Sequence, residues 1–128
     1  MHKITAVIIG IIALIHSYIL ILEMFLWESR GPNVFSSFPV ELFAQTKDMA
    51  ANQGLYNGFL AAGLLWSLIF IKDIKWKKNV ALFFLSCVAI AGLYGAFTVS
   101  TAILFVQTVP AVLGILCVLY LKPKVKSS

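Results

Sequence analysis

The sequence predicts an all-α integral membrane protein, a bundle of four transmembrane helices that forms a single domain over residues 1–128. The composition is the first observation behind this prediction. Hydrophobic residues make up 61% of the chain and charged residues 12%, with a mean hydropathy of +0.96. Soluble domains contain roughly 45–50% apolar and about 25% charged residues. A soluble protein of this composition has too few polar residues to cover its apolar surface.

Four long apolar segments are the second observation. A hydrocarbon core of about 30 Å needs about 20 apolar residues in a helix. The segments that reach this length are residues 4–27, 49–71, 80–98 and 102–121. The first of them could imitate a signal peptide. Because its apolar run exceeds the roughly 7–15 residues of a signal-peptide core, we expect it to be the first transmembrane helix.

A longer outer loop connects the first two predicted helices. The Gly-Pro-Asn sequence at residues 31–33 is a turn signal. The serine pair before Pro39 is typical of a helix cap with proline in the first turn, and Val40, Phe43 and Ala44 follow at helical spacing. The pattern predicts a short amphipathic helix on the outer surface. This helix would be either an interfacial connector or a lid over the bundle.

The distribution of basic residues predicts the orientation of the chain. One side of the membrane would carry eight lysines, and the other side only Arg30 and Lys47. The eight are Lys3, Lys72, Lys75, Lys77, Lys78, Lys122, Lys124 and Lys126. Because basic residues are enriched in cytoplasmic segments, both termini are predicted to be cytoplasmic. The net charge of +5 is thus explained by lysines that face the cytoplasm and its anionic lipids. We therefore expect the lipid bilayer as a partner, and no nucleic acid.

Polar side chains inside the predicted spans are the candidates for function. Glu23 is the one formally charged residue in the four spans, and an ionisable group at that depth marks a functional site by default. His16 lies seven residues earlier and therefore on the same helix face. The other polar candidates are Asn52, Gln53, Tyr56, Asn57, Tyr94 and Gln107.

The depths of these side chains predict that they converge. At a rise of about 1.5 Å per residue, seven of the eight lie roughly 5–12 Å below the outer boundary, and His16 lies about 17 Å below it. This predicts a ligand-binding or proton site, in a polar pocket that opens outward with Glu23 in it. The alternative is structural, because a buried glutamate held by Asn and Tyr donors can set the register of helices.

Small residues and Pro110 predict how the helices pack. Gly54 with Gly58, and Gly92 with Ala96, are pairs of small residues four positions apart. Such pairs allow close helix contact, either inside the bundle or in a homodimer. Pro110 has no backbone donor and is expected to kink the fourth helix. Two cysteines without C-x-x-C spacing, and one histidine with one glutamate, indicate neither a metal site nor a cofactor.

Two stretches of the sequence resemble a known family. Residues 16–27 contain His-Ser-Tyr-Ile and Leu-Glu-Met-Phe before a tryptophan, and residues 52–63 contain Asn-Gln-Gly, Tyr-Asn-Gly and Ala-Ala-Gly. Together they resemble the small bacterial membrane proteins classed as the domain of unknown function 1304, over nearly the whole chain. The resemblance implies a four-helix protein of the bacterial inner membrane, and it implies no reaction, substrate or cofactor. The residues that match the pattern are His16, Glu23, Trp27, Asn52, Gln53, Tyr56 and Asn57.

Three functions fit these observations. The first is binding or transport of a small amphiphilic molecule with Glu23 as counter-ion, and transport would need a homodimer because alternating access normally uses two related halves. The second is a membrane-embedded isomerase or hydrolase, with Glu23 and His16 as acid and base and Tyr56, Tyr94 and Asn57 as donors to an oxyanion. The third is a structural membrane subunit.

Overall fold

The computed structural model describes residues 1–121, and all regular secondary structure in this part of the chain is helical, with no strand. The all-α prediction is thereby confirmed. The tail lysines Lys122, Lys124 and Lys126 lie outside the described residues. The helices are α1 (Lys3–Phe25), α2 (Trp27–Val34), α3 (Leu42–Gln45), α4 (Lys47–Ile69), α5 (Ile74–Thr98), a π-helical segment (Leu104–Thr108) and α6 (Val109–Tyr120).

Two of the described helices are long and apolar enough to cross a membrane, judged by length and composition. They are α1, with 23 residues, and α5, with 25 residues. The π segment and α6 together form a shorter apolar helix from Leu104 to Tyr120. The polar side chains of α4, which include Asn52, Gln53 and Asn57, lower its hydropathy relative to α1.

The chain divides into two compact units. The Glu23 unit is residues 14–61, and the α5–α6 unit is residues 1–13 together with the described residues from 62 onward. In the α5–α6 unit the fully buried side chains include Ile9, Ile12, Leu85, Val88 and Val118.

The segment between α1 and α4 differs from its predicted structure. Residues 31–33, predicted as a turn, lie inside α2, and the first helix ends at Phe25 instead of residue 27. Gly31 is buried beneath the ring of Phe43. The packing is so close that a Cβ on Gly31 would lie 2.6 Å from this ring. Packing of this ring on the glycine outweighs the local turn preference. The short helix α3 begins at Leu42, and no serine side chain caps it, so the predicted start near Pro39 was wrong.

Helix α5 begins six residues before the predicted start at residue 80. Asp73 is its N-cap, and its carboxylate accepts a hydrogen bond of 2.8 Å from the backbone N–H of Trp76. This cap satisfies one of the free N–H groups of the first turn. The lysines at positions 75, 77 and 78 are consequently helical.

The proline in the last helix is accommodated by a π-helical segment. The backbone N–H of Val109 donates to Leu104, five residues earlier, where an α-helix would bond to the residue four earlier. Pro110, which has no N–H, follows directly. The hydroxyl of Thr108 donates to the carbonyl of Ala89 on α5 at 3.3 Å. The predicted irregularity at Pro110 is therefore a widened turn on its N-terminal side.

Candidate functional site

A buried hydrogen bond joins α1 and α4 in the Glu23 unit. Asn57 Nδ2 donates to Glu23 Oε2 at 3.0 Å, and also to the backbone carbonyl of Gln53, one turn earlier, at 3.2 Å. Glu23 is 9% exposed and Asn57 is 7% exposed. The second bond holds the amide against its own helix, so that its orientation toward the carboxyl is fixed.

Glycines on α4 make this bond possible. A Cβ on Gly54 would lie 3.0 Å from Glu23 Cβ and 3.1 Å from the carbonyl oxygen of Leu20. A Cβ on Gly58 would lie 3.2 Å from the end of the Leu20 side chain. The absence of side chains at these two positions lets the helices approach closely. The Gly54–Gly58 pair therefore packs against α1 of the same chain. Of the two predicted alternatives, contact within one chain and contact in a homodimer, this is the first.

The carboxyl of Glu23 is only partly satisfied. Among residues 1–121, Asn57 supplies the one side-chain hydrogen bond that this carboxyl accepts. An ionised carboxylate has room for about four donors, and a buried charge is stable only when it is paired or fully hydrogen-bonded. Asn57 therefore leaves acceptor positions of this carboxyl unfilled.

His16 lies two helical turns before Glu23 on α1. Its side chain is 1% exposed, and it is separated from Glu23 by seven residues, which corresponds to about 10 Å along the helix axis. The two side chains share a face of α1. At this separation the two side chains are too far apart to hydrogen-bond to each other.

The other predicted site residues of α4 are exposed. Asn52, Gln53 and Tyr56 lie on the surface of the helix, and the ring of Tyr56 lies 6.2 Å from that of Phe59. Only Asn57 lies on the face that meets Glu23. Within this unit the structure thus brings together Glu23 and Asn57, and it leaves the side chains of Asn52, Gln53 and Tyr56 outside their contact.

Tyr94 and Gln107 belong to the α5–α6 unit. The side chain of Tyr94 is exposed on α5. Gln107 lies in the π segment, where its Cβ contacts α5 so closely that a Cβ on Gly92 would lie 2.8 Å from it. That Tyr94 and Gln107 belong to a binding site stays a prediction from the sequence.

Residues 27–46 contain an aromatic cluster that is not part of the predicted site. The Trp27 ring lies 5.4 Å from that of Phe35, 6.2 Å from that of Phe38 and 4.9 Å from that of Phe43, measured between centroids. Trp27 Nε1 donates to Thr46 Oγ1 at 3.0 Å. From the sequence, Trp27 was identified only as one of the residues that match the family pattern. Three phenylalanines within nine residues, at positions 35, 38 and 43, were the signal for the cluster.

An ion pair lies at the end of this segment. Lys47 Nζ lies 2.7 Å from Glu28 Oε1, and both side chains are largely exposed. The hydrogen bond and the negative charge of Glu28 raise the pKa of Lys47 above its ordinary value. The pair joins the first residue of α4 to α2 on the surface.

Metal ligands are sparse in the described part of the chain. Among residues 1–121, no three His, Cys, Asp or Glu side chains are close enough together to hold a metal ion. Cys87 and Cys117 are both free cysteines.

The comparison with protein families places this chain. Residues 10–119 match the model of the family described as protein of unknown function (DUF1304). The chain belongs to the DUF1304 family. This confirms the family that the two sequence stretches suggested, and the DUF1304 match includes all eight candidate site residues. No curated protein and no solved structure matches the chain significantly. What this DUF1304 member does is therefore inferred from its own side chains.

Proposed function

We propose that this protein is a four-helix protein of the bacterial inner membrane that binds, and in a dimer transports, a small amphiphilic molecule at the carboxyl of Glu23. The observation that carries the proposal is the buried carboxyl whose one side-chain donor, among the described residues, is Asn57 at 3.0 Å. A cationic or donor-rich group on the ligand would complete the coordination of this carboxyl. The apolar part of the ligand would lie among the surrounding helices.

Exposed apolar side chains support the membrane location. Only 28% of the most apolar stretch of α1, and 22% of that of α5, is buried within the structure. Leu14 is 70% exposed and Phe97 is 84% exposed. Exposure to water costs about 25 cal/mol per Å² of apolar surface, whereas contact with lipid chains removes this cost. Such helices differ from the mostly buried core helices of soluble proteins.

The proposed topology has four crossings and both termini in the cytoplasm. It rests on the two long apolar helices, on the combined π segment and α6, and on the 23 residues of α4. The lysines near the α4–α5 connection give the cytoplasmic side. Labelling single cysteines at Glu41 and at Lys72 in intact cells tests it, in a background without native cysteines. We expect a membrane-impermeant maleimide to label position 41 and not position 72.

Binding at Glu23 is tested with a defined hydrophobic cation. The purified protein in detergent is titrated with radiolabelled tetraphenylphosphonium, and Glu23→Gln is compared with Glu41→Gln. Both variants remove one carboxylate, but Glu41 is exposed and lies outside the predicted spans. Removal of a buried charge partner weakens binding by about 2–5 kcal/mol. We therefore expect Glu23→Gln to lose binding by at least about thirtyfold, and Glu41→Gln to retain it.

The same titration separates binding from a structural role. If the wild type and Glu23→Gln bind the cation equally while the variant melts earlier, Glu23 only holds α1 against α4. Loss of binding at an unchanged melting temperature supports a ligand site. Proton-coupled uptake into vesicles then distinguishes transport from binding alone.

The burial of His16 on the face of Glu23 favours a second candidate, an acid–base isomerase or hydrolase that acts on a lipophilic substrate. The separation of about 10 Å suits a substrate that spans both groups. For an enzyme, His16→Gln abolishes turnover of a substrate that the variant still binds. If the protein is instead a binding protein or transporter, the molecule that it binds is not converted chemically, and His16→Gln has no turnover to abolish.

A further inference from the structure

An aromatic groove lies on the α4–α5 hairpin, within the α5–α6 unit. It has a volume of about 360 Å³ and is lined by Trp66, Trp76, Asn79, Val80, Phe83 and Phe84. Trp66 and Phe83 are at least half exposed, as is Trp76. The groove is thus lined by two indole rings and two phenyl rings, and Asn79 is its polar residue.

The walls of the groove are fixed by close packing. A Cβ on Gly63 would overlap the ring of Phe84, so this ring packs directly on the glycine of α4. Phe83 meets Phe84 edge to face, with centroids 5.2 Å apart. The groove is therefore part of the hairpin packing, and it extends from Trp76 to Phe83 over about 10 Å of helix.

Positive charge is concentrated at one end of the groove. The connection and first turn of α5 carry four lysines and one aspartate between residues 72 and 78. Asp73 accepts the capping bond from Trp76, and Lys77 Nζ donates to the carbonyl of Leu68 at 2.9 Å. Lys72 and Lys75 are exposed, and Lys75 lies one helical turn before Asn79, on the groove side of α5.

The geometry points to a binding site for an anionic glycerophospholipid, with its phosphate at Lys72 and Lys75 and one acyl chain in the groove between Trp66 and Phe83. The charge of the lysines selects an anionic headgroup. Tryptophans beside it suit the level at which headgroup and acyl chain meet. The inference shares the membrane location with the proposed function but is independent of the ligand at Glu23.

Native mass spectrometry of the delipidated protein tests this site. The protein in detergent is titrated with phosphatidylglycerol and, separately, with phosphatidylcholine of the same acyl chains. We expect the first phosphatidylglycerol to bind about 25-fold more tightly than phosphatidylcholine. Each lysine near an anionic headgroup contributes about fivefold to affinity. The double variant Lys72→Gln/Lys75→Gln should therefore lose this preference.

Two matched controls separate the groove from general lipid contact. Lys3→Gln/Arg30→Gln removes the same charge elsewhere on the surface, and Phe97→Ala removes an exposed phenylalanine of α5 that does not line the groove. Both should bind as the wild type, whereas Phe83→Ala should weaken both lipids. Equal binding of the two lipids by the wild type, or equal loss in the Lys72→Gln/Lys75→Gln and Lys3→Gln/Arg30→Gln variants, would overturn the proposal. Glu23→Gln retains the preference, even if the proposed function at Glu23 fails.

Discussion

Two close helix contacts in this protein depend on glycine, yet they enclose different chemistry. Between α1 and α4, Gly54 packs against Glu23 and Met24, and the contact brings a carboxyl to an amide. Between α5 and the π segment, Gly92 packs against Gln107 and Thr108, and the contact brings a hydroxyl to a backbone carbonyl. The first contact buries a group that can be charged, and the second buries only neutral dipoles.

The two contacts differ in how completely their polar groups are hydrogen-bonded. The bond from Thr108 to Ala89 satisfies a hydroxyl and needs no further partner. The carboxyl of Glu23 keeps unused acceptor capacity, although its surroundings are buried. Close packing by glycine is common to both contacts, so packing alone does not identify the site.

Substitution of Gly92 is expected to destabilise the protein most. A Cβ there would lie 2.6 Å from Thr108 Oγ1 and 2.9 Å from the backbone nitrogen of Thr108. Since part of this contact is backbone, α5 and the π segment must separate. We expect Gly92→Ala to lower the free energy of unfolding by about 3 kcal/mol, measured by denaturant titration in detergent micelles.

Gly10→Ala is the matched control for this substitution. Gly10 is also a helical glycine of the α5–α6 unit, but a Cβ there would meet nothing within 4 Å. Alanine favours a helix interior over glycine by roughly 0.5–1 kcal/mol, so this variant should be neutral or slightly more stable. Equal destabilisation by both substitutions would show that close contact at Gly92 is not the cause.

The second prediction compares the polar bonds of the two contacts directly. Asn57→Leu removes the donor to Glu23 and leaves the buried carboxyl unsatisfied, which costs about 2 kcal/mol. Thr108→Val removes the bond to Ala89, and hydrogen bonds between membrane helices contribute about 0.6 kcal/mol on average. The two free energies of unfolding are measured under identical conditions. Equal losses would contradict the distinction between a charged and a neutral contact.

The sequence predicted the helical class because its hydrophobic pattern is long and nearly continuous. It also selected Glu23 and Asn57, since a carboxyl and an amide within apolar helices are rare enough to stand out. It did not reveal that Asn57 alone of the four polar residues between 52 and 57 faces α1. That choice depends on which face of α4 carries Gly54 and Gly58, and thus on packing between helices.

The segment between α1 and α4 shows why local sequence signals fail where tertiary packing determines the structure. The turn signal at residues 31–33 is genuine in isolation, but Gly31 also fits beneath the ring of Phe43. Burial of that aromatic side chain contributes about 1.5–3 kcal/mol, which exceeds a local turn preference. The cluster around Trp27 needs residues that are up to 16 positions away along the chain. Periodicity within one helix cannot detect such contacts.

The smallest expected effect concerns the exposed ion pair of Lys47 and Glu28, in contrast to the buried carboxyl of Glu23. Glu28 raises the pKa of Lys47 above its ordinary value of 10.5 in the folded chain. The charged ammonium is therefore favoured by folding, and the pair stabilises the fold fully below about pH 10.5. This contribution disappears as the pH rises through the raised pKa.

Thermal melting of the wild type and of Lys47→Gln, at about pH 8 and at about pH 11.5, measures this contribution. The wild type should melt slightly higher at the lower pH, and the two curves should converge at the higher pH. Because both side chains are exposed, added salt should reduce the difference at the lower pH as well. A difference that persists at both pH values and in salt would mean that the apolar stem of Lys47 stabilises the segment through packing. Lys47 would then stabilise the protein through packing, as the close glycine contacts do, and not through its charge.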